Sequence, residues 1–390
     1  MIRCVAVVTD DYRIRSQTFV KRHVHKLFDG RTVLVQTKHW ELGEVDRPLF
    51  SLGEPRAWSR RLSLAAQRLC STGSPMRNIV AEFREFARQH GIDFILAEFG
   101  YVGLRAYPVA RALDIPMFCY FRGADASRRL NDPDYVVRLR RMMPEIAGIV
   151  AVSDSLIRNL RAVGVEHAET HVIPSGVDCQ RFRPGAKQAG LVVAVGRFVD
   201  KKSPDVTLQA FAQIAQTQPA LRLEMVGEGE LLEPCRALAE RLGIAGRVVF
   251  HGERDHAFVG ELLGRAEVFM QHSITSPSGD TEGFPTAIQE AMACGAVVVS
   301  TRHAGIPDHV RDGVTGLLVD EHDAEGYAEA LGRVTSDAGL RDTLATAARR
   351  YAEEELDYRV TYAWLERHIE RHVAAARERR LDGSGAESAV

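Results

Sequence analysis

Apolar runs of four to eight residues recur along the chain, each followed by a longer stretch whose apolar positions return at helical spacing. In the first half the runs are IRCVAVVT (2–9), TVLVQTK (32–38), DFILAEF (93–99), PMFCYF (116–121), GIVAVS (148–153) and THVI (170–173). In the second half they are LVVAVG (191–196), LRLEMVG (221–227), RVVFHG (247–252), EVFMQH (267–272), AVVVST (296–301) and TGLLVD (315–320). Short β-rich runs alternating with helices predict parallel sheets covered on both faces. The pattern therefore predicts an α/β chain of two doubly wound, Rossmann-like domains. PSGVDCQRFRPGAKQAG (174–190) is rich in Pro, Gly and charge and reads as a linker, which sets the domains at 1–178 and 179–357. Beyond residue 323 the pattern is helical. A helix over 358–380 is expected to pack back on the first domain, and LDGSGAESAV (381–390) is polar and small enough for an unstructured tail.

Composition changes this picture little. The 390 residues are 45% hydrophobic and 26% charged, ordinary for a soluble globular chain with room for two cores. The start, MIRCVAVVTDDY, does not read as a signal peptide, and no run approaches the ~20 apolar residues of a membrane span, so a cytoplasmic protein is expected. Six scattered cysteines with no C-x-x-C pair suggest neither a zinc site nor a disulfide framework. The net charge of −2 is uneven: residues 1–180 hold 26 Lys and Arg against 20 Asp and Glu (+6), and residues 181–390 hold 24 against 32 (−8). A basic front half favours an acidic acceptor or the inner face of an anionic membrane. RAWSRRLSLAAQRL (56–69) places Trp58, Leu62, Ala65 and Leu69 on one helical face, which fits both a membrane-surface helix and a core-facing one. No nucleic-acid partner is expected.

The chemistry concentrates in SPSGDTEGFPTAIQEAMACG (276–295). Pro285 suits a helix start, TAIQEAMA continues it, and Gly295 ends it. Glu282 then lies in the loop before the helix and Glu290 more than one turn along it. Between them the N–H groups of Gly283, Phe284, Thr286 and Ala287 face outward at the positive end of the helix dipole, which suits a phosphate. A capped helix with two surface acids has the same local sequence, so the element acquires meaning only beside its neighbours.

Those neighbours are the other strand ends, where ligands of doubly wound sheets bind. After LVVAVG, Arg197 and Lys202 can hold a diphosphate. After LRLEMVG, the turn Gly227-Glu228-Gly229-Glu230 lets backbone approach a ribose or base, and the loop of Glu253 and Arg254 after RVVFHG offers a place for a base to stack. Asp132-Pro-Asp134 imitates the metal-binding D-x-D but sits in an Arg-rich helical stretch, so no metal ligand is assigned.

This order of strand ends resembles the retaining glycosyltransferases of family 4. The likeness is strongest from VAVGRFVDKKSPD to STRHAGIPDHVRDGVTGLLVD (193–320) and includes the linker VIPSGVDCQRF. It implies the GT-B fold, with two Rossmann-like domains facing a central cleft, an acceptor-binding first domain, and a nucleotide-sugar donor, UDP- or GDP-linked, on the second. By that resemblance Arg197 and Lys202 bind the donor diphosphate with Gly227, Glu228, Arg254, Gly283, Phe284, Pro285 and Thr286 around it. Glu282 binds hydroxyls of the transferred sugar and Glu290 the ribose.

The front half resembles exopolysaccharide enzymes of the colanic-acid type, which carry S-E-T-F near the start and F-H-G-x-D after the fourth strand. Here these read Ser16-Gln17-Thr18-Phe19 and Phe121-Arg122-Gly123-Ala124-Asp125. Ser16, Gln17 and Thr18 are then acceptor-side residues, and Arg122 and Asp125 join Glu282 as catalytic candidates. Arg122 departs from the pattern: a permanent cation cannot carry a proton as histidine can. Arg122 paired with Asp125 in a structural turn fits the same residues. The resemblance implies no cofactor and no metal. The acceptor is expected to be a saccharide, a lipid-linked saccharide or a small-molecule hydroxyl, an aminocyclitol being the alternative. A non-catalytic nucleotide-sugar binder of a polysaccharide assembly complex and a GT-B epimerase are the competing readings.

Overall fold

The structure, a computed structural model, describes residues 1–14, 17–38, 45–53 and 75–387. Ser16 and the 56–69 segment, with its proposed membrane face, lie outside the described residues.

The described residues form thirteen strands in two sheets. Strands β1 (Cys4–Thr9), β2 (Thr32–Gln36), β3 (Leu49–Ser51), β4 (Ile92–Glu98), β5 (Met117–Phe121), β6 (Gly148–Ala151) and β7 (Thr170–Val172) build the first. Strands β8 (Leu191–Val195), β9 (Arg222–Val226), β10 (Val248–Phe250), β11 (Val268–Gln271), β12 (Val297–Thr301) and β13 (Gly316–Val319) build the second. Their orders are β3-β2-β1-β4-β5-β6-β7 and β10-β9-β8-β11-β12-β13, with parallel pairing throughout. Each order reverses once, between β1 and β4 in the first sheet and between β8 and β11 in the second. Such reversals leave a crevice at the carboxyl ends of the strands. Central strands such as CVAVVT and VVVST are buried at every position, as helices on both faces require.

Two compact units result, one comprising Met1–Ala151, Leu160–Val172 and the chain from Tyr362, the other Val152–Asn159 and Ile173–Thr361. After a short excursion over Val152–Asn159, the long crossing to the second unit therefore begins after Val172, ahead of the boundary at 178 read from the linker's composition. The C-terminal helix Tyr358–Glu387 belongs to the first unit from Tyr362 on: Phe28 N–H donates to Glu366, Arg371 reaches Glu169 at 2.6 Å, and Arg380 Nε donates to Asp114 Oδ2 at 2.9 Å. This helix continues through residues 381–387, where the sequence suggested a tail. β3 was not anticipated, because LFS between Pro48 and Gly53 is too short to stand out from a loop.

The second unit's core gathers Phe211, Leu223, Met270, Val299 and Leu331 beneath the sheet.

Candidate functional site

Within the second unit, main-chain hydrogen bonds lace together the loops leaving β8, β9 and β10. Gly196 N–H donates to Val226 O, Gly227 N–H to Gly252 O and Phe198 N–H to Glu228 O, each at 2.9 Å. Only glycine permits this approach: Gly227 and Gly229 have φ of 145° and 150°, and added Cβ atoms would lie 1.9 Å from Gly196 O and 2.3 Å from Phe198 O. The Glu228 carboxylate accepts Glu253 N–H at 3.2 Å, so it joins two loops. Arg254 is exposed, with its guanidinium 5.3 Å from the Phe258 ring centre.

The loops after β8 and β11 meet because these strands are neighbours at the reversal. Lys202 Nζ lies 3.1 Å from Glu282 Oε1, and Lys201 Nζ lies 3.2 Å from Asp280 Oδ2 and 3.8 Å from Glu282 Oε1. Lys201 also clamps the long loop: its carbonyl accepts Ile274 N–H at 3.0 Å and its ammonium donates to Thr281 O at 3.4 Å. Arg197, on the same loop as Lys202, is exposed and has no ion pair among the described residues. Lys202 and Glu282, assigned separately to diphosphate and sugar, are thus direct partners here, and Lys201 and Asp280 join them.

Burial opposes charge on Glu282, but Lys202 and Lys201 outweigh it and hold the carboxyl down at about 2. Burial lowers the Lys202 ammonium, against the pull of Glu282. At neutral pH Glu282 is an ionised acceptor, suited to hydroxyl groups and unsuited to donating a proton.

The helix that follows is Thr286–Ala293, with Pro285 in the flanking non-helical position at φ −58° and ψ 129°. The N–H groups of Gly283, Phe284, Thr286 and Ala287 have no hydrogen-bond acceptor among the described residues. Phe284 is buried and stacks on His309 with ring centres 4.2 Å apart, which anchors this corner. Glu290 is also buried, its Oε1 3.6 Å from His256 Nδ1. Sequence reasoning passed over His303 and Glu321. The main-chain N–H of Glu282 donates to His303 Nε2 at 3.1 Å, and His303 Nδ1 lies 2.7 Å from Glu321 Oε1. Their only trace in the sequence is position just after β12 and β13, the two strands next to the site.

Within the first unit, the polar centre is Glu98, fully buried at the end of β4. Arg122 donates to Glu98 Oε2 through Nε at 2.9 Å and Nη2 at 2.7 Å, and buried His23 is hydrogen-bonded to Oε1 through Nδ1. The Arg122 guanidinium is sandwiched 4.2 Å from the Phe19 ring centre and 3.6 Å from that of Tyr120. Burial works against the Glu98 charge, but Arg122 and His23 hold the carboxyl below its usual range. Burial lowers His23 against the attraction of Glu98, so a neutral imidazole donating through Nδ1 describes the pair.

Asp125 does not pair with the guanidinium. Its carboxylate accepts the main-chain N–H groups of Gly100, Arg122 and Gly123 at 2.9, 3.0 and 2.9 Å, the contacts of a loop-building residue. The turn expected between Arg122 and Asp125 therefore exists through the main-chain N–H of Arg122, and its guanidinium pairs with Glu98, remote in sequence. Gln17 and Thr18 open the helix Thr18–Lys26, and Gln17 Oε1 is buried without a hydrogen-bond partner among the described residues. Asp132 caps the helix Pro133–Met142 by accepting Asp134 N–H at 3.0 Å. Among the described residues no group of three or more His, Cys, Asp or Glu is placed to hold a metal ion, and no helix is long and apolar enough to cross a membrane.

Comparison with known proteins adds family to geometry. The model of "Glycosyl transferases group 1" matches residues 179–351 and that of "Glycosyltransferase Family 4" residues 49–181. A putative colanic acid biosynthesis glycosyltransferase of Escherichia coli is 32% identical over 292 residues, 71% of this chain and 70% of that protein. An amylovoran biosynthesis glycosyltransferase of Erwinia amylovora is 27% identical over 285 residues, 72% of this chain and 70% of its own. Among solved structures, Anabaena HepE in complex with UDP superposes with a TM-score of 0.74 at 17% identity, over 95% of this chain and all of that one. Sucrose-phosphate synthase of Thermosynechococcus elongatus gives 0.76 at 19% identity, over 96% of this chain and 100% of its own.

Proposed function

Because the chain belongs to the family 4 glycosyltransferases and has their GT-B fold, we propose that it moves a sugar from a nucleotide-diphosphate sugar to a saccharide hydroxyl, with retention at the anomeric carbon. The observation that carries this reading is the Lys202–Glu282 pair beside the acceptor-free N–H groups of Gly283, Phe284, Thr286 and Ala287. Cation and helix start there match the diphosphate of such a donor, and the ionised carboxylate matches its sugar hydroxyls.

In this mechanism Arg197, Lys202 and the four amides receive the charge that develops as the bond between the anomeric carbon and phosphate oxygen breaks. Fixed donors of this kind supply a large share of catalysis. The acceptor oxygen bonds to the same face of the anomeric carbon, and its proton passes to the departing phosphate. Glu282 orients the sugar through its hydroxyls. Glu290, buried beside His256, is proposed to hydrogen-bond the ribose. These protein groups are proposed to do this without a metal.

UDP is the first donor base to test, since HepE was solved with UDP, and GDP is the second. The colanic acid and amylovoran relatives favour a saccharide or lipid-linked saccharide as acceptor over an aminocyclitol. A cytoplasmic site of action at the inner membrane face fits such an acceptor. Arg122, locked onto Glu98, does not give up a proton at neutral pH, so a pure nucleotide-sugar binder is the second reading. The two are separated by incubating the protein with UDP-, GDP- and ADP-linked sugars, with and without saccharide acceptors, and measuring released nucleoside diphosphate. A transferase releases it faster with an acceptor, whereas a binder releases none.

A further inference from the structure

We propose that His303, oriented by Glu321, is the positioning residue for Glu282 and governs turnover separately from nucleotide affinity; this rests on the transferase reading above.

Glu282 is held from two sides. Its carboxylate meets Lys202, and its main-chain N–H donates to His303 Nε2 at 3.1 Å. His303 is fully buried, so water cannot substitute for that acceptor. An Nε2 that accepts must carry no proton, which places the hydrogen on Nδ1. There it points at Glu321 Oε1, 2.7 Å away. The second oxygen of Glu321 accepts Thr275 N–H at 2.7 Å, at the beginning of the same loop that ends in Glu282. Glu321 and His303 therefore clasp both ends of the 275–282 loop.

The backbone around His303 is shaped for this contact. Ala304 has φ 46°, an uncommon conformation for a residue with a Cβ. At Gly305 an added Cβ would lie 1.9 Å from Gly283 O, so any other residue would push away the carbonyl of the residue after Glu282. The loop after β12 thus presses on residue 283 while the imidazole holds residue 282. Lys202 and Lys201 meet the carboxylate of Glu282, and Lys201 also holds Thr281 O, but neither holds the main-chain N–H of residue 282. A misplacement of about 1 Å at such a group can cost about a hundredfold in rate.

The test compares wild type, His303→Leu and His303→Gln for UDP and GDP affinity by calorimetry. Turnover is read as nucleoside diphosphate released from UDP-, GDP- and ADP-linked sugars. The Leu variant is expected to bind nucleotide within about twofold of wild type and to lose at least about tenfold in kcat. The Gln variant, whose Oε1 can take the place of Nε2, is expected to regain most of that loss. Unchanged kcat in His303→Leu, or equal losses of affinity and kcat in both variants, would overturn the proposal. Should the Leu variant fail to fold, 15N spectra of the wild-type imidazole decide: an Nδ1-protonated ring supports the proposal and an Nε2-protonated ring overturns it. A wild type that neither binds nor cleaves any of these sugar nucleotides removes the transferase reading and this inference with it.

Discussion

Glu282 shows how far single residues were legible. Its place in a loop before a helix followed from Pro285 and the helix-forming run after it, but its partners did not. Lys202 is eighty positions away, and only the adjacency of β8 and β11 brings them to 3.1 Å. Arg122 was readable as a departure from a motif, while its side-chain partner Glu98 looked like the end of an apolar strand. Glu282→Ala should abolish transfer while leaving UDP or GDP affinity unchanged, as calorimetry beside a transfer assay would show. Lys202→Ala should weaken nucleotide binding by roughly 1.5–3 kcal/mol, the value of a charge-assisted hydrogen bond. An unaltered binding isotherm would remove Lys202 from the diphosphate site. The lowered Glu282 carboxyl also carries a pH signature. Its folded value, about 2, lies below the ~4.3 of an unfolded glutamate. Its contribution is therefore full above about pH 4.3 and is lost as pH falls toward 2. Urea midpoints of wild type and Glu282→Gln should accordingly converge as the pH is lowered from 5 to 3.

Elements were more legible than residues, because buried parallel strands advertise themselves as continuous apolar runs. Twelve of the thirteen strands end within a few residues of the runs that announced them, and all of the six in the second sheet do. The short edge strand β3 was missed for want of length. Loop geometry was only partly readable: Gly227 and Gly229 announced a turn, but the carbonyls they approach are set by the neighbouring strand. Gly227→Ala should destabilise the second unit by at least ~1–3 kcal/mol, the cost of a strained backbone alone, as chemical denaturation would reveal. Arg122→Ala should cost roughly 3–5 kcal/mol by leaving the Glu98 charge buried and unpaired. Arg122→Ala with Glu98→Gln should recover part of that loss. A wild-type denaturation curve for the single variant would mean that the pair is not buried in solution.

At the scale of the molecule, the two-unit architecture was written in the alternation of strands and helices, while the return of the chain after Tyr362 to the first unit rests on contacts such as Arg380 with Asp114. The whole chain should also feel acid through buried His272 and half-buried His171. Burial pushes His272 and His171 down to about 4, below the ~6.5 of an unfolded histidine. The unfolded chain then binds more protons below pH 6.5, so stability should fall from there toward pH 4, and His272→Leu should flatten the slope of Tm against pH. The measurement closest to the central claim is a crystal structure with UDP or GDP bound. The diphosphate is expected within hydrogen-bonding distance of Lys202, Arg197 and the N–H groups of Gly283, Phe284 and Thr286. A nucleotide bound elsewhere on the second unit, with the Lys202–Glu282 pair untouched, would contradict that claim.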